Sequence, residues 1–210
     1  MSTFVLRYFD FPARAEIIKA LLTYVDADWK LESPVWPDEK AKQPTGQLPV
    51  LVETKPDGTK FVLTDAAAIE QYLLKKYNIF AKVSVEQEAR QMQLRNQILD
   101  ICQYVWLYQF GGSEEVRQFA KGAFTGMAKM IVMYHEEILQ KNGSNGHYVG
   151  DKIGYADVAM YAGLNALKTA KEFKDEVSDL FSEKNAPLIN KVLRAVEDEP
   201  EMAEYVATCQ

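Results

Sequence analysis

The chain has 210 residues, of which 48% are hydrophobic and 26% charged, and its net charge is −6. Such a composition fills the core of one large or two small domains and excludes a disordered chain. Basic residues form no stripe and zinc-finger spacing is absent, so nothing favours nucleic acid as a partner. Cys102 and Cys209 lie far apart and form no CxxC pair, which fits a reducing compartment. The N-terminus lacks a charged start followed by a long apolar run, and no apolar stretch reaches about 18 residues. The expectation is a cytoplasmic protein with no membrane contact.

Residues 3–8 read as a strand that ends in Tyr8. A helix near 13–25 follows, with Ile17, Ile18, Ala20, Leu21, Leu22 and Val25 as its apolar positions. A phenol at that strand end, facing a helix that begins six residues later, sits beside any pocket between them. A short segment around 29–31 leads into a polar loop with Pro34, Trp36, Pro37 and Pro44. Residues 48–52 read as a buried strand, Pro56-Asp57-Gly58 as a turn, and residues 61–63 as the return strand of a hairpin. Thr64 or Asp65 can cap a helix over 66–77. The order β-α-β, loop, β-β-α predicts an α/β layer with a mixed sheet.

From about residue 84 the pattern is helical, over 84–110, 114–142, 154–171 and 185–197. Gly111-Gly112 and residues 143–146 break it. The fold class is therefore α/β followed by all-α, with domains over 1–78 and 84–210.

Five stretches carry a further signal. They are Tyr8-Phe9 followed by Arg14-Ala15-Glu16-Ile17-Ile18; Trp36-Pro37 with Lys40; Gly46-Gln47-Leu48-Pro49-Val50-Leu51; residues 63–73; and residues 150–157. In these, and over essentially its whole length, the chain resembles the cytosolic glutathione transferases, nearest to the sigma class. The resemblance implies an N-terminal thioredoxin-like domain, a C-terminal helical bundle, a homodimer, and conjugation of glutathione to apolar small-molecule electrophiles in detoxification. Isomerase and peroxidase activities occur among such relatives, and no residue here requires them. Three places depart from the family pattern: Pro12-Ala13 replace the usual loop arginine and glycine, Asp65-Ala66 the usual Gln-Ser, and Gly154 the usual Ser or Thr cap.

The implied roles follow the chemistry of a thiol. With a pKa of ~8.5, a thiol is only about 3% ionised at neutral pH, and the thiolate is the nucleophile. A hydrogen bond to a charged group contributes roughly 1.5–3 kcal/mol, enough to lower a thiol pKa by about 1–2 units. Tyr8 would donate that bond, and Arg14, one turn into the first helix, would support it by charge. The resemblance implies a cis bond before Pro49, with the Leu48 backbone N–H and C=O pairing to the cysteinyl part of glutathione. Trp36 and Lys40, four apart, would hold its glycyl carboxylate, with Gln47 near them. Asp65 and Ala66 would meet the γ-glutamyl end, where free helix N–H groups favour a carboxylate. Asp65 can serve as cap, as ammonium partner, or as both. Asp100, with Asn96 one turn earlier, falls where the sigma class reaches the ligand ammonium of its dimer partner.

Phe9, Phe11, Cys102, Tyr104, Trp106, Leu107 and Tyr108 are candidate walls of an electrophile pocket, although Cys102 also reads as a buried helix thiol. Asp157 reads as the third residue of a helix, reaching back to the cap N–H. His135 and His147 have no cysteine or acid at ligand spacing, so no metal is expected. A non-catalytic ligand-binding or structural protein on the same scaffold is the alternative, suggested by Ala66 and the Pro12-Ala13 loop.

Overall fold

Alternation decides the first strand. In β1 (Thr3–Arg7), Phe4 and Leu6 are buried and their neighbours are not, the period-2 pattern of a strand with one covered face. The computed structural model describes residues 1–209. The chain divides into two units, one formed by Met1–Ile79 with the segment from Glu201 onward, the other by Phe80–Pro200.

The first unit holds a four-stranded sheet in the order β2-β1-β3-β4, with β2 at Asp28–Glu32, β3 at Val50–Thr54 and β4 at Lys60–Thr64. β1 runs parallel to β2 and antiparallel to β3, and β3 is antiparallel to β4. Helices α1 (Glu16–Tyr24) and α2 (Ala66–Tyr77) contribute Ile17, Ile18, Leu21, Leu22, Ile69 and Leu73 to the core beside Phe4, Leu6 and Leu51. The mixed α/β layer is as the sequence indicates. The first helix is not: it starts at Glu16 rather than near 13. Ala15, at the N-cap, has no side chain to cap with, and Glu16 N–H turns back to the Ala13 carbonyl at 3.1 Å.

Some core positions are carboxylates, Glu53 among them. Glu53 lies opposite Phe4 in the β1–β3 register, so it shares the covered face, and it is fully buried. Ser2 Oγ donates to it at 2.5 Å, Lys76 Nζ stands 2.8 Å away, and the Tyr72 hydroxyl donates to its other oxygen. Burial works to raise the Glu53 pKa, but Lys76, Ser2 and Tyr72 outweigh it and hold the carboxyl below its ordinary value. The same unit includes α8 (Ala203–Thr208), which the sequence had assigned with the helical part. Tyr205 OH donates to buried Glu16 at 3.0 Å, and Glu16 also pairs with Lys19 at 2.7 Å, so a polar contact brings the end of the chain to α1.

The second unit is helical: α3 (Val85–Phe110), α4 (Glu114–Lys141), α5 (Tyr155–Lys168), α6 (Lys174–Leu180) and α7 (Pro187–Glu197). Ser84 with Gln87 forms a capping box for α3, Ser113 caps α4, and Pro187 opens α7 at its first turn. α5 is almost wholly buried and packs on α3. At Gly163 a Cβ would stand 2.6 Å from Ile98 Cγ1, so glycine permits the close approach.

Gly154 brings no cap side chain to α5, and Gln91 of α3 replaces it. Gln91 Oε1 accepts from Ala156 N–H at 3.2 Å and occupies the space a Gly154 Cβ would need, 2.7 Å away. Asp157 supplies the expected backward contact, accepting from Gly154 N–H at 2.9 Å. It also accepts from Tyr148 N–H at 2.9 Å and faces His147 Nδ1 at 3.2 Å, two partners the sequence did not reveal.

The two histidines act with opposite sign. Asp157 raises the His147 pKa, so this contact stabilises the fold below the unfolded value and fades as pH rises through the folded one. His135 is buried against Tyr148 OH at 2.7 Å, and burial lowers it from 6.5 to about 3. It stays neutral in the fold while the unfolded chain takes up a proton, so stability falls as pH drops below 6.5.

Two outcomes are expected. Glu53→Ala, which strands Lys76 and Tyr72, lowers unfolding free energy by about 3 kcal/mol in urea titrations. Between about pH 7 and pH 5, His135→Phe loses less stability than the wild type by ~2 kcal/mol, whatever its absolute stability.

Candidate functional site

Tyr8 follows β1 and continues its alternation, so its side chain falls on the covered face with Phe4 and Leu6. Its N–H still pairs with the Glu32 carbonyl at 3.2 Å, and Ser33 Oγ donates to its carbonyl at 3.0 Å. The residue is 4% exposed, and the Arg14 backbone N–H donates to its phenolic oxygen at 3.1 Å. Burial pushes the phenol up to about 12, against the lowering effects of the Arg14 N–H and guanidinium charge and with a raising effect from Glu16. At neutral pH it is an uncharged phenol. Its oxygen already accepts one bond, which leaves its proton for another acceptor.

Arg14 is exposed and stands before α1, not one turn inside it. Arg14 therefore reaches the Tyr8 phenol through a main-chain donor as well as through charge. No sequence signal announces that donor; only the turn into α1 aims it.

Around Tyr8 the first unit gathers an aromatic group. Phe9 packs edge-on to Tyr8 with centroids 5.4 Å apart, Phe9 and Phe11 stack at 5.2 Å with planes 5° apart, and Trp36 meets Phe9 edge-on at 5.6 Å. Lys40 Nζ lies over the Trp36 ring, 5.9 Å from its centroid. The loop brings these two together by a turn, with Lys40 N–H donating to the Pro37 carbonyl at 2.9 Å ahead of the 3-10 segment Lys40–Lys42. Gln47 is exposed, Leu48 half-buried and Pro49 buried. The Leu48–Pro49 bond is cis, and so is Trp36–Pro37, which the sequence did not indicate.

Asp65 caps α2, its Oδ1 accepting from Ala68 N–H at 3.0 Å. Its φ is +73°, a conformation that carries a cost for a residue with a side chain. At the start of α2 the N–H groups of Ala66 and Ala67 have no acceptor within the helix. A strained, exposed cap beside two such donors suits an anionic or zwitterionic ligand.

The second unit carries the other candidates. Asp100 and Asn96 lie one turn apart on an exposed face of α3, and Asn96 Oδ1 accepts from Arg95 Nη1 at 3.0 Å. Farther along α3, Tyr104 and Tyr108 are half-buried and Leu107 exposed, and Tyr108 packs edge-on to Phe173 at 5.2 Å. Cys102 differs from the expectation of a pocket wall. It is buried, with Sγ directed to the Gly163 carbonyl of α5 at 3.8 Å, because its face of α3 is the one that packs on α5. Among the described residues no helix is long and apolar enough to cross a membrane.

The family model described as "Glutathione S-transferase, C-terminal domain" matches residues 100–208. A protein named "Probable glutathione S-transferase 6" from Caenorhabditis elegans is 28% identical over 167 residues, covering 76% of this chain and 78% of that protein. "S-crystallin 4" from Enteroctopus dofleini is 24% identical over 178 residues, covering 78% and 80%. The solved structure of a sigma class GST from Fasciola hepatica superposes with a TM-score of 0.80 at 20% identity, over 100% of this chain and 97% of that one.

The buried phenol can be titrated directly. An alkaline difference spectrum between wild type and Tyr8→Phe should show no tyrosinate from this residue up to roughly pH 11.

Proposed function

Since this chain belongs to the glutathione S-transferase family, we propose that it joins the sulfur of glutathione to apolar electrophiles, in the manner of the sigma class and from the cytoplasm. The observation that carries the reading is the neutral, buried Tyr8 phenol, whose oxygen accepts from Arg14 N–H and whose proton is unspent. Tyr8 donates that proton in a hydrogen bond to the sulfur and favours its ionised form; the thiol proton leaves to solvent. The exposed Arg14 guanidinium adds a favourable charge. With a nitroaryl chloride, the sulfur–carbon bond forms as the carbon–chlorine bond breaks, and chloride departs with the bonding pair.

The tripeptide is held along the first unit. Lys40 and the Trp36 indole take its glycyl carboxylate, with Gln47 nearby, and the Leu48 backbone ahead of Pro49 pairs with the cysteinyl segment. The N–H groups at the start of α2, beginning with Ala66, receive the γ-glutamyl carboxylate, and Asp65 faces the ammonium. Ala66 offers no hydroxyl there, so binding lacks one hydrogen bond that a serine would supply. Asp100 serves the ammonium bound by a second copy in a homodimer. Phe9 and Phe11 border the electrophile within the first unit.

A second reading is a non-catalytic protein that binds apolar ligands or serves structurally. Similarity to a protein named as a crystallin favours it, together with the missing hydroxyl at Ala66. It requires negligible turnover of a nitroaryl chloride with glutathione while apolar dyes still bind.

Tyr8→Phe separates the two. The transferase reading expects conjugation to fall about tenfold or more while glutathione affinity changes little, since the lost bond acts on the ionised sulfur. Thiolate absorbance of the wild-type complex near neutral pH should vanish in the variant. Unchanged turnover would remove Tyr8 from this role.

A further inference from the structure

The aromatic group beside Tyr8 has an order that the conjugation chemistry does not require. Lys40 lies over Trp36, Trp36 meets Phe9 edge-on, and Phe9 stacks parallel to Phe11. Three of these four groups are flat rings fixed by neighbours. The series ends at Phe11, whose ring is covered by Phe9 yet leaves the residue 44% exposed. The Phe11 centroid is 6.4 Å from that of Tyr8, close to where the hydroxyl would hold a reacting sulfur. Pro12 follows directly and narrows the backbone freedom of Phe11, so the ring is held in place before any ligand arrives.

A merely apolar pocket is made as well by aliphatic side chains. A parallel pair of rings with one member half-exposed favours a partner that is itself flat, because a third ring continues the offset stack, whereas a flexible alkyl chain gains only burial. Electron-poor rings gain most, since the quadrupole of phenylalanine presents a negative face. We propose that Phe11 is a specificity-determining residue, the outer step of a stacking ledge that selects planar, electron-poor conjugated electrophiles over flexible aliphatic ones. The proposal rests on the transferase reading above for its chemistry, but the ledge itself is a binding feature.

The test uses the full-length protein with two electrophiles, 1-chloro-2,4-dinitrobenzene and the aliphatic enal trans-2-nonenal. In the first, the sulfur–carbon bond replaces carbon–chlorine and chloride leaves. In the second, sulfur adds to the β-carbon, the π pair moves to the α-carbon, and that carbon takes a proton from solvent. Phe11→Leu keeps an apolar group and removes the flat ring; Phe11→Tyr restores it. The ratio of kcat/KM for the nitroaryl chloride to that for the enal should fall about fivefold to tenfold in Phe11→Leu, mainly through KM, and return in Phe11→Tyr. A ratio that does not change in Phe11→Leu overturns the proposal.

Binding of unreactive 1,3-dinitrobenzene, followed by quenching of tryptophan fluorescence, keeps the ledge testable apart from catalysis. If the wild type conjugates neither electrophile, the transferase reading fails. The ledge then stands if Phe11→Leu weakens dinitrobenzene binding about fivefold or more, and falls if binding is unaltered.

Discussion

The hydrogen bond from the Arg14 backbone to the Tyr8 oxygen fixes the orientation on which the candidate site depends. A phenol has one proton and an oxygen with spare lone pairs. Filling one acceptor position from the turn before α1 leaves the hydroxyl with its donor function pointed elsewhere. Burial on the covered face of the sheet then suppresses ionisation, so the group remains a donor at physiological pH. Two features of the chain produce this state: the alternation that carries Tyr8 under the sheet, and a helix that begins late enough for Arg14 N–H to remain outside it.

Buried carboxylates organise both units. Glu53 joins Ser2, just ahead of β1, to α2 through Tyr72 and Lys76, and Glu16 joins α1 to α8 through Tyr205. In the second unit Asp157 joins the loop at His147 and Tyr148 to the start of α5. Each has several donors, the condition under which a buried charge is tolerated. Removing one partner is costly because the others cannot all find water.

The sequence was legible where the signals are local and strong. The helix-patterned runs over 84–110 and 114–142 match α3 and α4 nearly to the residue, Pro56-Asp57-Gly58 marks the hairpin, and of the two candidate caps Thr64 and Asp65 it is Asp65 that caps α2. It was illegible where the deciding group comes from elsewhere in the fold. α6 buries only Val177, so it has no periodic face to read. α8 is six residues long, and its attachment rests on Glu16, far away in sequence. The direction of Cys102 depends on which side of α3 receives α5. The stacking of Phe9 on Phe11 depends on a bend that no single residue announces.

The cap that α3 lends to α5 bears on how the chain can change over generations. A serine placed at 154 alone would bring its Cβ against the Gln91 amide and displace it. An alanine at 91 alone would leave Ala156 N–H bare, a loss of about 1 kcal/mol for a typical cap. A serine at 154 brings its own cap hydroxyl, so the Gln91 contact matters only while 154 is glycine, and the effect of changing 91 depends on the residue at 154. The glycine, which looks like a relaxed position when read by itself, is coupled to a glutamine 63 residues earlier in the chain.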